Sequence, residues 1–404
     1  MNQVVTSTAE LESGALTCET STADRPAARS GGRFYRPELD ALRLLAFLLV
    51  FLHHAAVGYL DPISATPAGS KWIFRIFYGI VAGGSFGVCL FFVLSAFLIF
   101  ELLLRERATT SDLKPKQFYI RRILRIWPLY FVALIIAMVA MVVTDGNRAA
   151  IPWAIWSAFL AGNWFVVIHG FPESPFDLLW SISVEEQFYL AAPWVVKFFS
   201  PRRLVVFSFI LVVIANVWLF VLGAAHAHSY SVGANSFVQF QNFAAGILLC
   251  LLLRTWSPKF GAWQRLMTFL GAVICWICAI DFFKTRFAGD QPPGSWHLIG
   301  GYGLVSIGCC LFFLAFWGAD SKLFPSWLIY LGRISYGLYV FHMLCMYIVG
   351  HGIPFHHAGV VGVLLKGALA MAMTILLALI SYRYLETPFL RLKKRHEIVA
   401  SRPI

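Results

Sequence analysis

Charge is what this 404-residue chain has least of. Asp, Glu, Lys and Arg together make up 13% of it, about half the roughly 25% typical of a soluble domain. With 59% of residues hydrophobic, that shortage excludes an ordinary soluble globular protein. The first 36 residues have little apolar sequence too: rich in Ser, Thr, Ala, Gly and charge, they carry no apolar stretch of roughly 7 to 15 residues and are not expected to be a cleaved signal peptide. Cysteine is absent from the loops expected outside the membrane. Seven of the eight cysteines (Cys89, Cys250, Cys275, Cys278, Cys309, Cys310, Cys345) lie in apolar runs, so no disulfide framework is implied. The Cys275-x-x-Cys278 spacing at membrane depth reads as small apolar filler rather than a redox or metal pair, and no metal is expected. No internal repeat is visible.

What the chain has in quantity is uninterrupted apolar sequence, such as LFFVLSAFLIF and FVALIIAMVAMVV. Runs near ~20 residues match a hydrocarbon core of about 30 Å. The formal net charge of +12 sits in short Lys/Arg blocks between these runs and builds no continuous basic face, which argues against nucleic acid. It follows the positive-inside pattern of a multi-pass protein of the cell (inner) membrane. The expected fold is all-α, a polytopic transmembrane bundle in the lipid bilayer, with spans near 39–60, 76–104, 126–144, 178–198, 203–224, 237–253, 266–283, 298–318, 327–350 and 359–384. Basic blocks at Arg105–Arg125, Lys197–Arg203, Arg254–Arg265, Lys322 and Arg391–Arg395 put both termini on the cytoplasmic side. Residues 150–168 are also apolar, but Arg125 and Arg202 must face the same side. This segment, with Pro152, Trp153, Trp156, Asn163 and Trp164, is therefore expected to be interfacial or re-entrant, making about ten spans in all. Residues 1–36 are expected as a disordered cytoplasmic tail, 37–392 as one membrane domain, and 393–404 as a short basic cytoplasmic tail.

Ionisable groups inside a bilayer cost several kcal/mol unless paired or placed in a polar cavity, so function is sought at them. On the first span Arg43 and His54 are eleven residues apart, roughly 20° around the axis and about 16 Å along it. The alternative is a snorkelling arginine and an interfacial histidine. In WSISVEEQFYLAAPW (180–194), Ser181, Glu185 and Tyr189 share a face, while Glu186 points elsewhere. Glu185 is expected at the depth of His54, where a carboxylate can orient an imidazole base; a structural interhelical ion pair is the competing reading. Ser335, Tyr339 and His342 follow i, i+4, i+7, and His342 also reads as a hydrogen-bonded core residue. Arg121, Arg122 and Arg125 stand at the cytoplasmic mouth of the third span, at a pitch able to grip phosphates, or simply anchoring that end. Arg383 and Glu386 read as a structural helix-end pair. Loop histidines His226, His228, His351, His356 and His357 lack ligand spacing.

Six motifs in order identify a resemblance. They are Arg43-x10-His54, GVCLFFVLSAFLI (87–99), Phe118 to Tyr130 in the form F-x-x-R-R-x-x-R-I-x-P-x-Y, Trp180–Tyr189, LGRISYGLYVFH (331–342) and Ser381–Leu390. Over roughly residues 36–392 the chain resembles the acyltransferase-3 family of membrane acyltransferases, which includes bacterial O-acetyltransferases of surface polysaccharides. Ala96 stands where the family usually has Gly, Cys89 where Asp is frequent, and Phe341 where Trp is common. The resemblance implies an acyl-CoA donor, usually acetyl-CoA, held by Arg43, Arg122 and Arg125, with His54 and Glu185 catalytic. Glu186, Tyr189, Ser335, Tyr336 and His342 are further candidates. It implies transfer to a hydroxyl of a carbohydrate or lipid-linked acceptor, completed by the membrane unit or with a separate extracytoplasmic partner, and a variant in which His54 itself carries the acyl group. The rival class is a transporter or flippase using His, Glu and Arg as a proton relay, which predicts an inverted repeat.

Overall fold

Lipid offers no partner to a backbone N–H or C=O, so an apolar run must satisfy its own hydrogen bonds as a helix. The computed structural model describes residues 34–64, 71–110, 112–144, 150–172, 174–287, 294–352 and 359–399, and among them are helices and turns with no strand. The tail expected over 1–36 lies outside the described residues but for its last three. So do His356, His357 and the last five residues of the tail expected over 393–404.

In chain order the helices are α1 (Pro37–Ser64), α2 (Trp72–Gly83), α3 (Gly87–Thr110), α4 (Pro115–Thr144), α5 (Ala150–Ala158), α6 (Gly162–His169), α7 (Leu179–Phe198) and α8 (Pro201–Ala224). They continue with α9 (Ser229–Gly233), α10 (Ser236–Thr255), α11 (Ala262–Asp281), α12 (Ser295–Phe316), α13 (Ser326–Arg333), α14 (Ser335–Gly352), α15 (Gly359–Ser381) and α16 (Thr387–Lys394). Among the described residues eight stretches are long and apolar enough to cross a membrane: α1, joined α2–α3, α4, α8, α10, α11, α12, and α15 with its continuation through α16. The pair α13–α14, bent by 74°, makes a ninth. Helix α7 has 20 residues, but Glu185 and Glu186 among its apolar side chains leave it outside that set, so eight or nine crossing stretches stand against the ten expected. The chain is a multi-pass membrane protein. Its outward faces agree: Val206, Phe209, Ile210, Val213 and Val217 of α8 are all exposed, as a helix against lipid requires.

The apolar segment at 150–168 does not span. It is split into α5 and α6, of nine and eight residues, each about 12–14 Å long against a core of about 30 Å. Leu160, between them, adopts a left-handed φ of 58°. Trp153 and Asn163 are fully buried, and the Asn163 amide donates to the Ala234 carbonyl and to Ser236 Oγ. The segment packs into the protein through these residues, while Ile151, Ile155, Phe159 and Ile168 remain exposed.

Two features position the site. The turn Gly84–Phe86 between α2 and α3 lets α1 pass closely. A Cβ on Gly84 would lie 2.3 Å from the Leu49 carbonyl oxygen, and one on Gly87 2.5 Å from that of Ala46. The basic blocks also converge at one end of the bundle. There Glu101 of α3 pairs with Arg105 (2.5 Å) and with Arg254 of α10 (2.8 Å), Arg107 donates to the carbonyls of Val196 and Phe199, and Arg121 of α4 pairs with Glu106 (2.5 Å). Arg383 and Glu386, expected as a pair, are apart: Arg383 lies over the Tyr384 ring, while Glu386 accepts from Ser381 and faces Arg125.

Candidate active site

Two cavities lie in series along the bundle. The first holds about 1500 Å³ of empty space, part of it open to the surroundings, and is lined at the basic end by Arg43, Arg121, Arg122, Arg125 and Lys393. Its deeper wall carries Ser95, Ser181, Glu185, Tyr189, Ser335 and Tyr336. The second, of about 1210 Å³, is lined by His53, His54, Asp61, Tyr78, Asp177 and Arg286 together with Phe171, Trp180 and Phe287. Val88 and Tyr339 line both.

In the first cavity the cations divide into two kinds. Arg121 is tied down, to Glu106 and to the His396 carbonyl (2.8 Å). Lys393 pairs with Glu397 at 3.0 Å and Arg43 lies 3.4 Å from Asp40. Arg122 and Arg125, by contrast, form no ion pair among the described residues. The guanidinium of Arg122 lies over the rings of Phe118 and Tyr189, at 5.3 and 5.8 Å, and its Nε is buried without a hydrogen-bond partner. Adjacent unpaired guanidinia in a membrane-embedded cavity repel one another and have lost hydration, so the arrangement is suited to an anion bearing several charges. The bend between α13 and α14 adds to it, because Ser335 and Tyr336 at the start of α14 bring a helix N-terminus, with its positive partial charge, to the same wall.

The two adjacent glutamates diverge, as their spacing predicts. Glu185 faces the cavity with Ser95, Tyr189 and Arg43 around it, and Tyr189 and Ser95 share a hydrogen bond. Glu186 turns to α4 and accepts from Trp127 Nε1 at 3.1 Å. Tyr336 donates to the Ile126 carbonyl at 2.9 Å, which fixes its ring in the wall.

His54 lies beyond the wall. It is exposed into the second cavity, with ring contacts to His53 (5.1 Å) and His342 (5.4 Å). Glu185 and His54, expected at one depth, thus line different cavities. His342 is fully buried behind His54, and its Nδ1 lies 2.5 Å from the Tyr339 carbonyl. A carbonyl only accepts, so Nδ1 carries the proton, and Nε2 is left without a partner. In the second cavity Tyr78 donates to Asp61 at 2.5 Å, with Arg286 3.6 Å from the same carboxylate. No group of three potential metal ligands occurs among the described residues.

Seven of the ten residues singled out from sequence therefore meet at the first cavity, His54 lines the second, and Glu186 and His342 line neither. Lys393, Glu397 and Ser95 went unrecognised. The first two sit in what reads as a solvated basic tail, whereas Ser95 had a signal, a lone hydroxyl inside LFFVLSAFLIF.

A sequence family described as an acyltransferase domain matches residues 36–383. An O-acetyltransferase of Staphylococcus aureus (strain NCTC 8325 / PS 47) is 28% identical over 379 residues, covering 88% of this chain and 57% of that protein. A putative O-acetyltransferase of Staphylococcus aureus (strain MSSA476) is 28% identical over 384 residues, with the same coverage of each chain. The chain thus spans somewhat over half the length of the curated relatives it matches. No solved structure is a match.

Proposed function

Since the chain belongs to the acyltransferase-3 family, we propose that it is an O-acyltransferase of the cell membrane, carrying an acyl group, usually acetyl, from acyl-CoA to a hydroxyl of a carbohydrate or other cell-envelope acceptor. The observation that carries this reading is the unpaired Arg122 and Arg125 in a deep cavity that leads towards His54. Coenzyme A puts its phosphates at one end of a long flexible pantetheine arm and the thioester at the other, and Arg43 and His54 are about 16 Å apart along α1. Phosphates held by Arg122, Arg125 and Arg43 would leave the arm to run inward past Ser95 and Tyr189. Guanidinium forks suit that task better than ammonium groups.

In this mechanism His54 accepts the proton of the acceptor hydroxyl as its oxygen attacks the thioester carbonyl. The tetrahedral adduct collapses, the C–S bond breaks, and the thiolate of CoA takes the proton back from the imidazolium, leaving ester and free CoA thiol. Glu185 acts on the donor side, holding Arg43 and the Ser95 and Tyr189 hydroxyls, and the His342 ring backs His54. The aromatic and carboxylate lining of the second cavity favours a carbohydrate there, since sugar rings stack on aromatic faces and their hydroxyls bond to carboxylates.

The test uses purified protein in nanodiscs with labelled acetyl-CoA and a cell-envelope glycan extract. Label should reach glycan with the wild type, and His54→Ala should lower the rate by about 10²–10⁴-fold while CoA still binds. Full transfer by His54→Ala at normal protein levels would sink the reading. Two cavities in series also suit a transporter, and movement of a solute without any covalent product would favour that alternative.

A further inference from the structure

Among the described residues the two cavities share two wall residues, Val88 and Tyr339. Whatever passes from Arg122 and Glu185 to His54 passes between them. They differ in freedom to move. Val88 follows Gly87, whose backbone is pressed against the Ala46 carbonyl of α1, and its short β-branched side chain is stiff. Tyr339 has a long side chain with open space on both sides. Its hydroxyl lies 2.8 Å from Ser181 Oγ of α7. Ser181 already donates to the Leu178 carbonyl at 2.9 Å, so Tyr339 is the donor in that bond. Its ring otherwise meets Phe91 and His342 edge-on or tilted, at 5.8 and 5.5 Å. Its backbone carbonyl is held by His342 Nδ1, which anchors the helix while leaving the side chain to turn.

We propose that Tyr339, latched to Ser181 beside Val88, is the movable partition between the donor and acceptor cavities, and that its displacement admits the thioester to His54. The inference rests on the acyltransferase reading for what passes, though not for the partition itself. Opening breaks one neutral hydrogen bond and changes one rotamer, an event of a fast timescale. Closure keeps water in the acceptor cavity away from a bound thioester when no acceptor is present. Tyr339 is thus a positioning residue, and its loss should uncouple donor consumption from transfer.

Met343 lines the second cavity only, which makes it a reporter. In sealed vesicles holding the full chain with Met343→Cys, a membrane-impermeant thiol reagent is added from the side of the basic end. Rates are taken relative to the same chain with Met343 kept. With Tyr339 in place, labelling from that side is slow; Tyr339→Ala should raise it at least tenfold and Ser181→Ala several-fold, with labelling from the opposite side unchanged. Unchanged labelling from the basic side in Tyr339→Ala, in protein that labels normally from the other, overturns the partition. If Tyr339→Ala fails to fold, Ser181→Ala decides alone, and no increase there overturns it equally. Acetyl-CoA hydrolysis without acceptor should rise several-fold in parallel. Faster labelling in Tyr339→Ala with no acyl transfer by the wild type would leave the partition standing and remove the acyltransferase reading; transfer by the wild type with no faster labelling in Tyr339→Ala would do the reverse.

Discussion

Arg121 and Arg122 are neighbours in sequence and opposites in chemistry. Arg121 is buried, paired with Glu106 and bonded to the His396 carbonyl, so removing it strands a buried carboxylate, a loss of about 3–5 kcal/mol. Arg122 has no ion pair among the described residues and a buried Nε without a partner, so removing it relieves the empty protein. Arg121→Ala should therefore reduce folded yield and melting temperature. Arg122→Ala should leave the empty protein as stable as wild type or more so, while weakening CoA binding by about 10- to 100-fold, the value of a charged hydrogen bond of about 1.5–3 kcal/mol. Thermal melts with and without CoA separate the two, and CoA stabilising Arg122→Ala as much as wild type would refute the assignment. The cost of polar groups in lipid made Arg43, Arg122, Arg125, Glu185 and Tyr189 visible in sequence. The same logic could not say which side of the wall formed by Val88 and Tyr339 His54 lies on, because helical depth ignores the side chain of Tyr339 on another helix. Lys393 and Glu397 were hidden for the opposite reason, since charge beyond the last apolar run looks solvated until a cavity is found beneath it.

At the scale of elements, apolar length located the spans, because lipid leaves no alternative to the helix. That residues 150–168 do not cross was legible as well, through Pro152, the tryptophans and the charge balance around them, though the split of α5 from α6 was not. The 74° bend between Arg333 and Ser335 was not, for no proline marks it and hydropathy runs through it. Nor was the close crossing of α1 over the start of α3, which a GGSFG stretch permits but does not announce. That crossing sets where His54 stands relative to Val88. Gly87→Ala places a Cβ 2.5 Å from the Ala46 carbonyl oxygen, and the backbone there has nowhere to move without displacing α1. It should cost on the order of 1–3 kcal/mol and reduce transfer with it. Gly58→Ala on the same helix α1 meets nothing within 4 Å and should be neutral or slightly stabilising. A melt of the two variants side by side checks this, and equal behaviour would show that the crossing is not tight.

Across the whole molecule the two cavities differ in charge as well as position. Arg121, Arg122, Arg125 and Lys393 sit at the mouth of the first, within the end of the bundle where Arg105, Arg107 and Arg254 also gather. The second is lined by histidine, carboxylate and aromatic side chains with one arginine. Short basic segments stay on the cytoplasmic side during insertion, so on the proposed acyltransferase reading the force that orients the bundle also turns its arginine-lined mouth to the compartment that holds acyl-CoA. On that reading, orientation and donor supply are one property of the charge distribution, and transfer is expected to run from inside to outside. Inverted membrane vesicles given labelled acetyl-CoA in the surrounding medium should transfer label to acceptor enclosed within them. Right-side-out vesicles given the same donor outside should not, until the membrane is permeabilised. Equal transfer by both preparations would mean that the donor reaches His54 from either face, and the sided arrangement of the two cavities would have to be abandoned.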